Sequence, residues 1–397
     1  VLLEGVHPGG VAYLRDQGFS QVVENKGALD GDALRRAVAG AHLVGIRSRT
    51  KIDADVLAAA PDLLAVGCFC IGTNQVDLKR AATLGVPVFN APHSNTRSVA
   101  ELVIALTILL VRDVHAKSTA AHAGRWLKTT GAAREVRGKT LGIVGYGHIG
   151  SQVSVMAEAL GMSVVYHDIE TKLPMGNARP LSSLEELLAK ADVVTCHVPA
   201  TPLTKNLLSR EKIALLRPGA YVINTSRGTV VDLDALAEAL RSGAVGGAAI
   251  DVYPVEPENN DALFESPLRG IPNVVLTPHV AGSTIEAQEN IGLEVARKLA
   301  AYATTGDTAT AVNFPRLLLG PPTTACRILH IHQNVPGVVR AINDLVADEN
   351  LNVAGQQLQT MGEIGYVAID VEGAATSRLL EGIRRVKGTV RARIVGS

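Results

Sequence analysis

Arg227, Glu256 and His279 each follow a short apolar run. Arg227 lies in Asn224-Thr-Ser-Arg227-Gly228, just after the predicted strand Tyr221–Asn224. Glu256 lies in Asp251-Val-Tyr-Pro-Val-Glu256-Pro257, after the predicted strand Gly246–Ile250. His279 lies in Thr277-Pro-His279, after the predicted strand Val274–Leu276. In an open parallel sheet the carboxyl ends of the strands face one crevice, so a cation, an acid and an imidazole can converge there. Together they suit removal of hydride from an alcohol carbon. The imidazole takes the hydroxyl proton. A carboxylate on its far nitrogen fixes the tautomer and supports the imidazolium. A guanidinium fork grips a carboxylate and polarises the neighbouring oxygen. Taken singly, each residue has a plainer reading: a loop ion pair, a solvated acid in a Pro-rich turn, a structural histidine.

A second signature favours the chemical reading. Gly145-Tyr-Gly147-His-Ile-Gly150 follows the predicted strand Leu141–Val144 and opens a predicted helix. Gly145 allows the tight turn, Gly147 allows a pyrophosphate to approach the backbone, and Gly150 allows close helix–strand packing. The helix N-terminus offers unpaired N–H groups to phosphates. Asp168, at the end of the next predicted strand, suits the ribose hydroxyls and repels a 2′-phosphate, which favours NAD over NADP. Nearby Lys172 is the one residue that weighs the other way. Arg47-Ser48-Arg49 follows another predicted strand, Leu43–Ile46. Two arginines at i and i+2 suit a phosphate dianion, or form a solvated turn.

The elements that carry these residues alternate. Val1–Val6, Leu43–Ile46, Leu64–Val66 and Val86–Phe89 read as strands, with helices at Pro8–Gln17, Asp53–Ala60 and Gln75–Leu84. Such alternation implies parallel sheets with crossover helices. Ser98–His115 reads as one long helix with Asn95 or Thr96 as N-cap. A second alternating unit begins at Thr140 and closes with a long helix over Thr284–Thr304. Gly320-Pro321-Pro322-Thr323 reads as a linker. Beyond it the spacing predicts β-α-β-β-α-β, the ferredoxin-like split motif. The fold class is therefore α/β, with two doubly wound parallel sheets and a small antiparallel tail.

Composition excludes other classes. The 397 residues are 47% hydrophobic with 38 glycines, 38 basic and 38 acidic residues, and formal net charge zero. That balance argues against nucleic acid or an anionic membrane surface as partner. Four cysteines, Cys68, Cys70, Cys196 and Cys326, are too few for a disulfide scaffold and read as buried small hydrophobes, with no metal site expected. The run Leu102–Val111 is too short to span a bilayer. The opening residues lack the basic start of a secretion signal, which leaves a soluble, cytoplasmic chain as the expectation.

The stretches Gly67–Asp77, Ser94–Glu101, Leu141–Gly150, Asn224–Asp232, Thr277–His279 and Glu286–Glu294 resemble the D-isomer-specific 2-hydroxyacid dehydrogenases, in particular the bacterial kind with a C-terminal ACT domain. The resemblance spans nearly the whole chain. It implies His279, Glu256 and Arg227 as catalytic residues. It implies NAD contacts at His148, Ile149, Asp168, Arg227 and Asp251, with His197, Val198 and Pro199 lining the cofactor. It implies a substrate domain split into 1–94 and 282–316 around an NAD-binding Rossmann domain at 95–281, and an ACT regulatory domain at 325–397. The substrate it implies is 3-phospho-D-glycerate, oxidised to 3-phosphohydroxypyruvate in L-serine biosynthesis. Arg47, Ser48, Arg49 and Asn95 would bind that substrate, with Lys128 supplied by a neighbouring subunit, and Trp126 would plug into the partner. His332, Asn334 and Asn352 would form an L-serine effector site across a pair of ACT domains in a homotetramer. Read from residues alone, Asn334 only helps to cap a helix near Pro336. Two departures stand out: His93, where the family often has an aromatic residue, and the short linker Leu317–Thr324. Two other readings stay open, a dehydrogenase for another small 2-hydroxy acid and a nucleotide-sensing regulator.

Overall fold

The computed structural model describes residues 1–129, 131, 133–257, 261–322, 324 and 326–396. Thr323 of the expected linker, and Ala325 and Ser397 at the ends of the expected tail domain, lie outside the described residues. The chain divides into two compact units, Val1–Ser94 with Gln288–Ser397, and Asn95–Ala287.

In the first unit β1 (Leu43–Ile46), β2 (Ala65–Cys68) and β3 (Val88–Asn90) form a parallel sheet in that order. Leu2 bridges in parallel to both Gly45 and Glu24. Counting these single bridges, the spatial order is 2-1-3-4-5, the flavodoxin-like arrangement. The expected strand Val1–Val6 is thus cut to a bridge. Glu4 at φ 64° and Gly5 at φ 62° turn the chain out of the extended conformation. A helix not foreseen, Gly31–Val38, buries Leu34 and Val38. Its charged sequence hides a one-turn apolar repeat.

The second unit is a seven-stranded parallel sheet: β4 (Thr140–Val144), β5 (Ser163–His167), β6 (Arg179–Pro180), β7 (Val193–Cys196), β8 (Ala220–Asn224), β9 (Val245–Ile250) and β10 (Val274–Leu276). The order is β6-β5-β4-β7-β8-β9-β10, so connections reverse between β4 and β7. That is the doubly wound dinucleotide-binding order, whose ligand crevice opens at the reversal. β7 is buried at every residue, as a strand covered on both faces must be. The expected helix Ser98–His115 is two helices, Thr96–Val111 and Val114–His122. Asp113 at φ 53° breaks the helical path between them.

The tail belongs to the first unit. β11 (Cys326–Gln333), a helix Val338–Asp348, β12 (Asn352–Met361), β13 (Ile364–Glu372), a helix Ser377–Arg385 and β14 (Thr389–Val395) follow in the expected order. The antiparallel sheet runs β12-β13-β11-β14. One face packs into the core of the first unit: Leu329, Ile331, Tyr366, Ala368 and Val395 join a cluster with Phe89, Leu299, Tyr302 and Phe314. Three of the four thiols are buried as expected, but Cys70 is only half-buried, because it lies in the loop after β2. No helix of the described residues is long and apolar enough to cross a membrane.

Candidate active site

The glycine turn has the geometry a dinucleotide needs. Gly145 has φ 93°, and a Cβ there would lie 2.5 Å from the His197 carbonyl oxygen. A Cβ on Gly150 would lie 2.3 Å from the Gly145 carbonyl oxygen. Gly147, by contrast, has open space above it and caps the helix His148–Ala159 without a side-chain hydrogen bond. The positive end of that helix's dipole faces the turn, where a phosphate would sit. Asp168 follows β5, and its carboxylate accepts from the Tyr146 N–H at 2.7 Å and the Glu170 N–H at 3.0 Å. Lys172, the residue that weighed toward a 2′-phosphate, pairs with Glu170. His197 follows β7, and its Nε2 meets the Thr195 hydroxyl at 3.0 Å. Its Nδ1 is buried with no partner among the described residues. Burial pushes that imidazole down to about 3, so it stays neutral. An open glycine, an uncapped helix and an unpartnered ring nitrogen at the sheet reversal together fit NAD.

The trio expected to be catalytic is carried by three consecutive strand ends. At the end of β8 the Asn224 amide donates to the Arg227 carbonyl at 2.9 Å and accepts from the Ser226 hydroxyl at 2.8 Å. These bonds shape the turn that carries Arg227. A Cβ on Gly228 would lie 1.9 Å from the Tyr253 carbonyl carbon, so this turn rests directly on the one leading to Glu256. Glu256 accepts from the Tyr253 N–H at 3.2 Å and from His279 Nδ1 at 2.9 Å. With its Nδ1–H committed, His279 presents Nε2 as an acceptor, from a side chain 53% exposed. His279 sits at φ 54°. Fully buried Asp251 holds it there: its carboxylate accepts from the Thr277 hydroxyl at 2.6 Å, the Val280 N–H at 2.9 Å and the Ala281 N–H at 3.0 Å. Asp251, expected as a cofactor contact, builds the histidine turn.

Arg47, Ser48 and Arg49 form the loop after β1 in the first unit. Arg47 is half-buried and its neighbours are exposed. Asn95 and Lys128 belong to the second unit. Asn95 occupies the N-cap position of the helix Thr96–Val111, yet its side chain makes no capping bond. Its Oδ1 is buried with no partner among the described residues. Lys128 is exposed, and Trp126 beside it is 86% exposed.

Residues 104–281 match the family described as D-isomer specific 2-hydroxyacid dehydrogenase, NAD binding domain, and residues 328–391 match an AHAS small subunit-like ACT domain. D-3-phosphoglycerate dehydrogenase of Haemophilus influenzae is 53% identical over 395 residues, covering 100% of this chain and 96% of that protein. The protein of the same name from Escherichia coli K12 is 51% identical over 397 residues, covering 100% and 97%. The chain belongs to the D-isomer-specific 2-hydroxyacid dehydrogenases. A solved D-lactate dehydrogenase from Aquifex aeolicus, complexed with NAD and lactic acid, superposes with a TM-score of 0.65 at 26% identity, covering 76% of this chain and 95% of that one. The dehydrogenase is an NAD-dependent oxidoreductase with a Rossmann fold and an ACT tail.

In the tail of this dehydrogenase, His332 and Asn334 lie together but Asn352 does not join them. His332 is opposite Gly365 on β13, whereas Asn352 is opposite Glu372. Those positions are about 23 Å apart along a strand. Asn334 donates to the Gly362 carbonyl at 3.2 Å, and Asn352 to Glu372 at 2.9 Å. The helix cap expected of Asn334 is absent; Gly337, at φ 94°, holds the N-cap position.

Several residues that shape the site escaped the sequence reading. Glu4, Gln75 and Gln288 all bond the Arg47 loop. An acid before a glycine at the end of the first strand was the available signal for Glu4. For the two glutamines there was none, since each acts across a gap in sequence.

Proposed function

We propose that the dehydrogenase oxidises the 2-hydroxyl of 3-phospho-D-glycerate to 3-phosphohydroxypyruvate, in the cytoplasm, as a step toward L-serine. The observation that carries this reading is the His279–Glu256 pair at 2.9 Å beside the Arg227 turn, in a chain matched end to end by proteins bearing the phosphoglycerate name. Bound NAD supplies the hydride acceptor. His279 Nε2 takes the hydroxyl proton, and Glu256 stabilises the imidazolium that forms. Arg227 grips the substrate carboxylate and the C2 oxygen. Arg47, Ser48 and Arg49 hold the phosphate with Asn95, joined by Lys128 of a second subunit. In this reading 1–94 with 282–316 binds substrate, 95–281 binds NAD and 325–397 regulates. His148, Ile149, Val198 and Pro199 line the cofactor.

L-serine is the effector in this reading, bound by His332, Asn334 and Asn352 in a homotetramer built through the NAD-binding and ACT parts. The separation of Asn352 from the other two supports a shared site. β12 is an edge strand, exposed or half-exposed throughout. Antiparallel pairing of β12 with its copy sets the start of one strand beside the end of the other. Asn352 of one chain then approaches Asn334 of the second copy.

The test is NADH formation from phosphoglycerate with product trapped, compared with lactate and unphosphorylated glycerate, each with and without L-serine. His279→Ala lowers kcat about 10²–10⁴-fold while NAD binding holds. Equal turnover of lactate overturns the substrate reading. Full activity in saturating serine leaves the tail as an oligomerisation module.

A further inference from the structure

We propose that Glu4 and Gln288 are positioning residues that make the Arg47–Arg49 loop selective for a phosphorylated acid. This rests on the reading of Arg47 and Arg49 as phosphate ligands.

Successive backbone N–H groups in a turn form a concavity that binds anions. The loop after β1 forms such a concavity, and the protein fills it itself. Glu4 Oε1 accepts from the Arg47 N–H at 3.1 Å and the Thr50 N–H at 2.8 Å, while Oε2 accepts from the Arg49 N–H at 3.0 Å. The carboxylate reaches the loop because Glu4 and Gly5 are both left-handed, at φ 64° and 62°. A side chain is strained there, and the three bonds offset the strain. Burial raises the Glu4 carboxyl, but the N–H groups of Thr50, Arg49 and Arg47 outweigh it and hold it below the usual range. With the Arg47, Arg49 and Thr50 N–H groups already satisfied by Glu4, the attraction this loop offers an incoming phosphate comes chiefly from its two guanidinium groups.

Gln288 orients one of them. Arg47 Nη2 donates to Gln288 Oε1 at 2.8 Å, and Gln75 clamps the Arg47 carbonyl at 2.7 Å. The chemistry of the partner matters. A neutral amide fixes the direction of the guanidinium and leaves its charge available; a carboxylate at 288 would neutralise it.

Two nearly isosteric variants test this. Glu4→Gln keeps an oxygen for Arg47 and Thr50 but sets an amide N–H₂ against the Arg49 N–H. Gln288→Glu, at a half-exposed helix position, pairs the Arg47 charge and carries the test even if Glu4→Gln does not fold. Both variants raise KM for the phosphorylated acid, and Ki for inorganic phosphate as a competitive inhibitor, by about tenfold. Saturated kcat and KM for NAD remain within about twofold. Arg47→Ala and Arg49→Ala give the benchmark. If these leave KM unchanged, the phosphate reading itself falls. If they raise it while Gln288→Glu does not, or if the variants lower kcat without a selective loss of phosphate, the positioning roles are overturned.

Discussion

His330 and His332 point to the same side of β11, and their Nδ1 atoms lie 3.2 Å apart. The Thr389 hydroxyl donates to the Ile383 carbonyl, so it accepts from His330 Nε2. His330 Nδ1 is then bare and accepts from His332. Protonating His330 would set two N–H groups face to face. Burial, with the neighbouring His332, pushes His330 down to about 3, and burial lowers His332 as well. The folded state thus binds fewer protons than the unfolded chain once pH falls below about 6.5. Stability is therefore lost on acidification from that pH toward 3. His330→Gln flattens the slope of unfolding free energy by about 1.4 kcal/mol per pH unit between pH ~6 and ~4. Urea melts across that range check it, and an unchanged slope refutes it. The sequence pointed to His332 but not to its neighbour, because only contact shows which residue holds the proton. Arg227, Glu256 and His279 were legible because each is the polar residue of a turn after a strand. Glu4 was not, because it acts 43 to 46 residues away.

At the level of elements, β11 is fastened by Arg327. Its guanidinium makes a two-pronged bond to Asp370 on β13, at 2.5 and 2.8 Å, and donates to the Thr305 and Gly320 carbonyls at 3.0 and 2.7 Å. Arg327 is 4% and Asp370 8% exposed. Removing one partner of such a pair leaves a buried charge uncompensated. Asp370→Ala is expected to lower stability by about 3–5 kcal/mol. Chemical denaturation measures the loss, and a change below about 1 kcal/mol would show that water or a carbonyl takes over. The order and type of nearly every strand could be read from apolar runs and turn residues. What could not be read is where local conformation breaks a run, as at Asp113 and Glu4. Those breaks depend on a left-handed residue that periodicity does not register.

At the level of the molecule, zero net charge conceals local concentrations of charge such as the Arg47–Arg49 pair. The split of the chain into two compact units places the tail with the first, which composition around the linker did not suggest. Tyr366 packs edge-on to Phe314 at 5.7 Å and donates to the Gly306 carbonyl at 2.7 Å. Arg391 and Arg393 on β14 donate to the Pro61 and Ala303 carbonyls at 2.9 and 2.7 Å. Ending the chain at Leu319 uncovers Tyr302, Phe314 and Leu317, each under 5% exposed in the whole protein. The shortened chain is expected to melt several degrees lower and to self-associate, by calorimetry and light scattering. An unchanged Tm would show that the shared core contributes nothing. The same packing makes the covalent link through Gly320–Pro322 redundant for holding the parts together. A protease that nicks there would yield two bands on a denaturing gel and a single particle in solution.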